Sequence, residues 1–119
     1  MVEGLAVDLV HLDGSAVLMV RGEIDMAAAA TLRAAIEQSM SFGVPIVLDF
    51  AGVTFMDSSG LNVILGAQEA AGGAGSVSVR KPTAIVRRVF TVTGLTRILA
   101  DDTGVVTEPS ERERDGISD

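Results

Sequence analysis

Cysteine is absent from the 119-residue chain, and with it go disulfide frameworks, thiolate zinc sites and thiol nucleophiles. Histidine occurs once, as His11, so a site built from several imidazoles is excluded too. Tryptophan and tyrosine are missing and only 3% of the residues are aromatic, so the core must be largely aliphatic. Basic residues are few: 9 Lys and Arg against 16 Asp and Glu leave a net charge of -7. Neutralising phosphates needs a basic face, so this balance argues against nucleic acid as a partner. It argues equally against docking on an anionic membrane. No uninterrupted apolar stretch approaches the ~20 residues of a spanning helix. Glu3 and Asp8 stand where a secretory signal needs basic residues ahead of an apolar run. The expectation is a soluble, cytoplasmic protein with no metal and no cofactor.

What is present is a chain that is 48% hydrophobic, enough for one packed domain and too short for two. Leu5, Val7 and Leu9 alternate with Ala6, Asp8 and Val10, the period of a half-buried strand. His11-Leu12-Asp13-Gly14-Ser15 reads as a turn, with His11 a solvated turn residue, and Ala16 to Val20 as a second strand completing an antiparallel hairpin. Arg21 to Asp25 is expected to leave the sheet. Asp25 can cap the alanine-rich helix that follows, whose inner face is Ala28, Leu32, Ala35, Ile36 and Ser39. Gly43 ends that helix and Pro45 prevents its resumption.

Ile46 to Phe50 is a short β-branched run expected as a buried strand, followed by a loop from Ala51 to Met56. A second helix runs from about Ser58 to Ala71 on a face of Leu61, Ile64, Leu65 and Gln68. Gly66 inside it costs roughly 1 kcal/mol against Ala, which predicts close helix packing there. Ser76 to Val79 reads as a strand and Thr83 to Thr93 as a third helix, with Ile85, Val86, Val89 and Phe90 inward and Arg87 and Arg88 outward. Leu95 to Leu99 adds a turn of helix, and Gly104-Val105-Val106 is a candidate edge strand. The domain is expected to span 1–106, with 107–119 a disordered tail of mixed charge. The pattern is an α/β sandwich: a mixed, mostly parallel sheet with an N-terminal antiparallel hairpin and helices packed mainly on one face.

Chemistry concentrates at Asp57-Ser58-Ser59-Gly60, where a strand has ended and a helix begins. Asp57 and Ser58 are both good N-cap residues, and the free N–H groups of the first turn favour an anion there. On position alone Ser58 reads as a cap, Asp57 as a cap or turn acceptor, and Gly60 as loop geometry. A serine hydrolase is a poor fit, because Met56 breaks the Gly-x-Ser-x-Gly elbow at Ser58 and His11 is the only imidazole available as base. No Gly-rich phosphate loop of the P-loop type occurs.

Phe55-Met56-Asp57-Ser58-Ser59-Gly60-Leu61, together with Gly22-Glu23-Ile24-Asp25, Ile46-Val47-Leu48-Asp49-Phe50 and Val86-Arg87-Arg88-Val89-Phe90, resembles the STAS domain family. The free-standing form resembles the anti-sigma factor antagonists of bacteria. That resemblance implies a binding protein rather than an enzyme. It implies that Ser58 is the phosphoacceptor of an anti-sigma factor that is also a serine kinase. It further implies that the unphosphorylated form binds this kinase and releases a sigma factor, and that a metal-dependent serine phosphatase restores the serine. Asp57, Ser59, Gly60 and Asp25 are the partner-contact candidates around Ser58. The alternative is a STAS subunit of a different assembly, in lipid transport or a sensor complex.

Overall fold

The first turn of the chain is set by two residues. Asp13 and Gly14 have φ of 52° and 79°, the left-handed pair that closes a two-residue hairpin. This shortens the expected turn and returns His11 and Leu12 to the first strand. In the computed structural model, which describes residues 5–72 and 76–99, that strand is β1 (Ala6–Leu12), paired antiparallel with β2 (Ser15–Ile24). His11 is therefore a strand residue rather than a turn residue, though it stays exposed as expected. Its ring meets Phe42 edge to face, with centroids 4.7 Å apart.

The order continues with α1 (Met26–Met40), β3 (Ile46–Met56), α2 (Ser58–Ala70), β4 (Val77–Arg80) and α3 (Ala84–Val92), then a single 3₁₀ turn at Thr96–Ile98. The four strands lie in sequence order. β2–β3 and β3–β4 are parallel, each joined through a helix. Leu18 and Val20, Ile46, Leu48 and Phe50, and Val77 and Val79 share one face of the sheet. They join Leu32 and Ile36 of α1, Ile64 of α2, and Val86 and Phe90 of α3 in one core. The mixed sheet, the hairpin and the helices gathered on one face are those expected.

Two strands run further than the residue pattern suggested. Arg21 to Ile24 and Ala51 to Met56 do not leave the sheet but pair with each other, Arg21 with Gly52, Gly22 with Val53, Glu23 with Phe55 and Ile24 with Met56. The register shifts twice along the way, between Met19 and Arg21 and between Gly22 and Glu23. Each bulge resets which face a residue points to. The buried positions on β3 thus step from Phe50 to Val53 to Met56 in threes, and no period of two survives to be read.

Smaller differences concern helix faces. α1 buries Ala29, Leu32, Ile36 and Ser39, close to expectation, and the Ser39 hydroxyl donates to the Ala35 carbonyl at 3.0 Å. Ile85 is exposed rather than inward, whereas α3 buries Val86 and Phe90 and packs Val89 against the core as expected. Gly66 is exposed, and a Cβ added there meets nothing within 4 Å, so no close packing accounts for it. The candidate strand at Gly104–Val106 and the tail from Thr107 lie outside the described residues.

The face of the sheet away from the core carries one buried charge. Asp49 is 3% exposed and has both carboxylate oxygens engaged: Arg80 Nε donates to one at 2.9 Å and the Ala51 N–H to the other at 3.0 Å. Arg80→Ala strands that carboxylate, which typically costs 3–5 kcal/mol for a fully buried pair. Arg80 is a quarter exposed, so water reaches the gap and a loss of about 3 kcal/mol is expected. Urea unfolding measures it, and a loss below about 0.5 kcal/mol, the level of an ordinary surface change, contradicts the assignment.

Candidate interaction site at the start of α2

β3 delivers the site and β2 holds it in place. After Met56 the chain turns, and the Asp57 N–H donates to the Ile24 carbonyl at the end of β2, at 3.2 Å. Asp57 is extended, with φ -114° and ψ -171°, and caps α2: its Oδ1 accepts the Ser59 N–H at 2.9 Å. The same oxygen accepts the Ser59 hydroxyl. Capping is thus completed by Asp57 and Ser59 together, and both residues are spoken for inside the loop.

Ser58 is left over. It is the first helical residue, it is exposed, and its hydroxyl takes part in no hydrogen bond with any described residue. It stands at the positive end of the α2 dipole, where the Ser59 and Gly60 N–H groups are already taken by Asp57. The two uses of Ser58 that position alone allowed are therefore separated, because the cap belongs to Asp57.

Gly60 lies one turn into the site and is buried. A Cβ placed on it would stand 2.6 Å from Cγ2 of Ile24 and 2.9 Å from Cγ of Met56. The absence of a side chain is what lets α2 settle onto the ends of β2 and β3. A constraint inside the domain thus explains this glycine without a partner's backbone.

Asp25 repeats the Asp57 arrangement on the neighbouring strand. It caps α1, with Oδ1 accepting the Ala28 N–H at 2.9 Å. Ile24 and Met56 are register partners, so the caps that follow them open side by side at the carboxyl ends of two parallel strands. That is where ligands and partners of parallel α/β sheets commonly bind. Two apolar side chains that the residue pattern did not single out share this end: Met26, 79% exposed in the position on α1 that Ser58 holds on α2, and Phe55, 39% exposed. Met26 directly follows a cap, and that placement was the available signal.

His11 is remote from all of this. It pairs with Ala16 at the start of β2, and Ile24 lies eight strand steps beyond Ala16, about 26 Å. No imidazole can act as base at Ser58. Among the described residues no group of three or more His, Asp or Glu stands together as a metal cage, and no helix is long and apolar enough to cross a membrane.

The Asp57 carboxyl is held below its ordinary range, first by the Ser59 hydroxyl and then by the backbone N–H groups of the turn, with partial burial opposing. A group whose pKa is lower in the folded state contributes stability above its unfolded value, near 4, and loses it as pH falls through the folded value. Asp57→Asn keeps a capping oxygen but does not titrate. The wild type is expected to exceed this variant in stability at neutral pH, with the difference shrinking in acid below about 4. Urea midpoints for both proteins across that window test the point, and a difference that grows in acid contradicts it.

Residues 7–101, which contain every strand and helix described above except the first residue of β1, match the family model for the Mlab, STAS domain. The chain belongs to the STAS domain family. This STAS domain is 33% identical over 90 residues to the anti-sigma F factor antagonist of Lysinibacillus sphaericus, across 73% of its own length and 77% of that protein's. Its fold is similar to that of an anti-sigma factor antagonist from Mycobacterium paratuberculosis, with a TM-score of 0.72, 30% identity, and 80% and 82% of the two chains covered. It is also similar to the Bacillus cell fate determinant SpoIIAA in its phosphorylated form, with a TM-score of 0.60, 31% identity, and 83% and 93% covered.

Proposed function

We propose that this STAS domain is an anti-sigma factor antagonist switched by phosphorylation at Ser58. Unphosphorylated, it binds an anti-sigma factor that is also a serine kinase, and a sigma factor is released. Phosphorylated, it no longer binds, and a metal-dependent serine phosphatase resets it. The role belongs to the cytoplasm, and it is one of binding, not catalysis. The observation that carries this reading is the Ser58 side chain, exposed and without a hydrogen bond to any described residue while Asp57 does the capping. A phosphoacceptor must be free to enter another protein's active site, and this one gives up no hydrogen bond to a described residue in doing so. Similarity to antagonists, one of them solved in a phosphorylated form, supports the same reading. Asp57, Ser59, Met26 and Phe55 surround the acceptor as candidate contacts, with Asp25 on the adjoining cap and Gly60 holding the turn from beneath.

The test is intact-mass analysis after incubation with candidate anti-sigma kinases and ATP. One added phosphate is expected, mapped by fragmentation to Ser58. Tight binding to that kinase regardless of phosphorylation would instead indicate a STAS subunit of another assembly.

A further inference from the structure

More than half of the positive charge of this acidic protein, five of its nine Lys and Arg, is concentrated in one stretch. Between residues 76 and 99 there are five basic side chains, Arg80, Lys81, Arg87, Arg88 and Arg97, and no acidic one. Arg80 is spent on Asp49. Lys81, Arg87, Arg88 and Arg97 are exposed and form no ion pair with any described residue. On α3 the outward stripe interleaves charge with apolar surface. Ile85, Arg88 and Val92 follow one another at helical spacing, with Ile85 40% and Val92 75% exposed.

The chain that continues from this region has the opposite character. Segment 100–119 carries seven carboxylates, including Asp101, Asp102, Glu108 and Glu111, against two arginines. Val105 and Val106 lie within its first acidic stretch. It begins beside the basic patch, since Leu99 bridges to Val79 of β4 and the preceding 3₁₀ turn packs against α3. Twenty residues can span roughly 65 Å, whereas a nine-residue helix is about 14 Å long. A tether this short keeps the local concentration of the segment in the millimolar range. A contact too weak to form between separate molecules can therefore form within one.

We propose that the acidic segment 100–119 docks on the outer face of α3, its carboxylates over Lys81, Arg87 and Arg88 and its valines beside Ile85 and Val92. The contact is held by charge and covers this helix until salt or a more acidic partner displaces it. It adds little to the stability of the fold, in keeping with the few apolar residues of the segment.

The absence of cysteine makes the test direct. Ser110→Cys in the full chain accepts a single nitroxide and leaves every charge in place. Paramagnetic broadening of amide signals then reports what the segment touches. At about 0.01 M salt, where charges act over about 30 Å, the α3 amides from Ile85 to Val92 are expected to broaden while those of α1 do not. At about 1 M salt, where the range falls to about 3 Å, the broadening is lost. It is also lost in the double variant Arg87→Glu, Arg88→Glu, whose unchanged α1 and sheet signals show that it folds. Absence of selective broadening at low salt overturns the proposal. So does broadening that survives high salt or the double variant. A labelled chain that broadens α3 of a second, unlabelled copy overturns it as well, by making the contact intermolecular.

Discussion

Ser58→Asp is expected, on the proposed switch, to weaken binding to an anti-sigma kinase by roughly 100-fold or more while leaving the fold intact. The two halves of that result have different causes. Within the domain, a negative charge at the first position of α2 meets the positive end of the helix dipole, favourable by typically 0.3–1 kcal/mol. Repulsion from Asp57 offsets this, so the stability change is small. At a docked interface water is excluded, and a charge with no prepared partner must be desolvated. Leaving a buried charge uncompensated costs on the order of 3–5 kcal/mol, and each 1.4 kcal/mol is about tenfold in Kd. Phosphate carries about -1.5 to -2 and more bulk, so the phosphorylated protein should bind more weakly still. Ser58→Ala removes only a hydroxyl that has no hydrogen-bond partner among the described residues. It should bind as tightly as wild type and accept no phosphate. Calorimetric titration of the three forms, with urea unfolding alongside, separates binding from stability. Wild-type affinity in both Ser58→Asp and the phosphorylated protein would sink the switch.

The second result sets two glycines of one helix against each other. Gly60→Ala is expected to destabilise by about 1–3 kcal/mol, the usual cost of forcing a methyl into a filled site. The added carbon would overlap Ile24, which is fully buried and branched at Cβ, and Met56 behind it. Relief requires α2 to lift from the strand ends, which also displaces Ser58. Gly66→Ala has the opposite sign. The site is open, and the alanine gains up to roughly 1 kcal/mol in helix propensity. Urea midpoints of the two variants should fall on either side of wild type. If both variants stabilise, the packing assigned to Gly60 is wrong.

Much of the local structure was readable from residue order, because the forces that set it act over a few residues. The Asp25 cap, the α1 face of Leu32, Ile36 and Ser39, and the start of α2 at Ser58 all follow from capping chemistry and helical period. So does the succession of hairpin, helix, strand and helix that implies a parallel sheet. The family resemblance rested on the same short segments, and Asp57-Ser58-Ser59-Gly60 was identified as the place to look.

Tertiary structure decided the questions that depend on pairs of residues far apart in the chain. Arg21–Ile24 and Ala51–Met56 look like loops one at a time and form strand only against each other, with bulges that erase the alternation. Which of Asp57 and Ser58 caps α2 depended on where the carboxylate reaches, and only the folded turn shows it bonded to Ser59 with the Ser58 hydroxyl left over. Gly60 and Gly66 are identical as letters. One lies under Ile24 and Met56 and the other faces open space, because only the packed domain determines what stands opposite each Cα. The same reason placed His11 on Phe42 at the far end of the sheet from Ser58. A residue's type and neighbours in sequence determine the bonds it can make, and the fold determines which of those bonds it still needs.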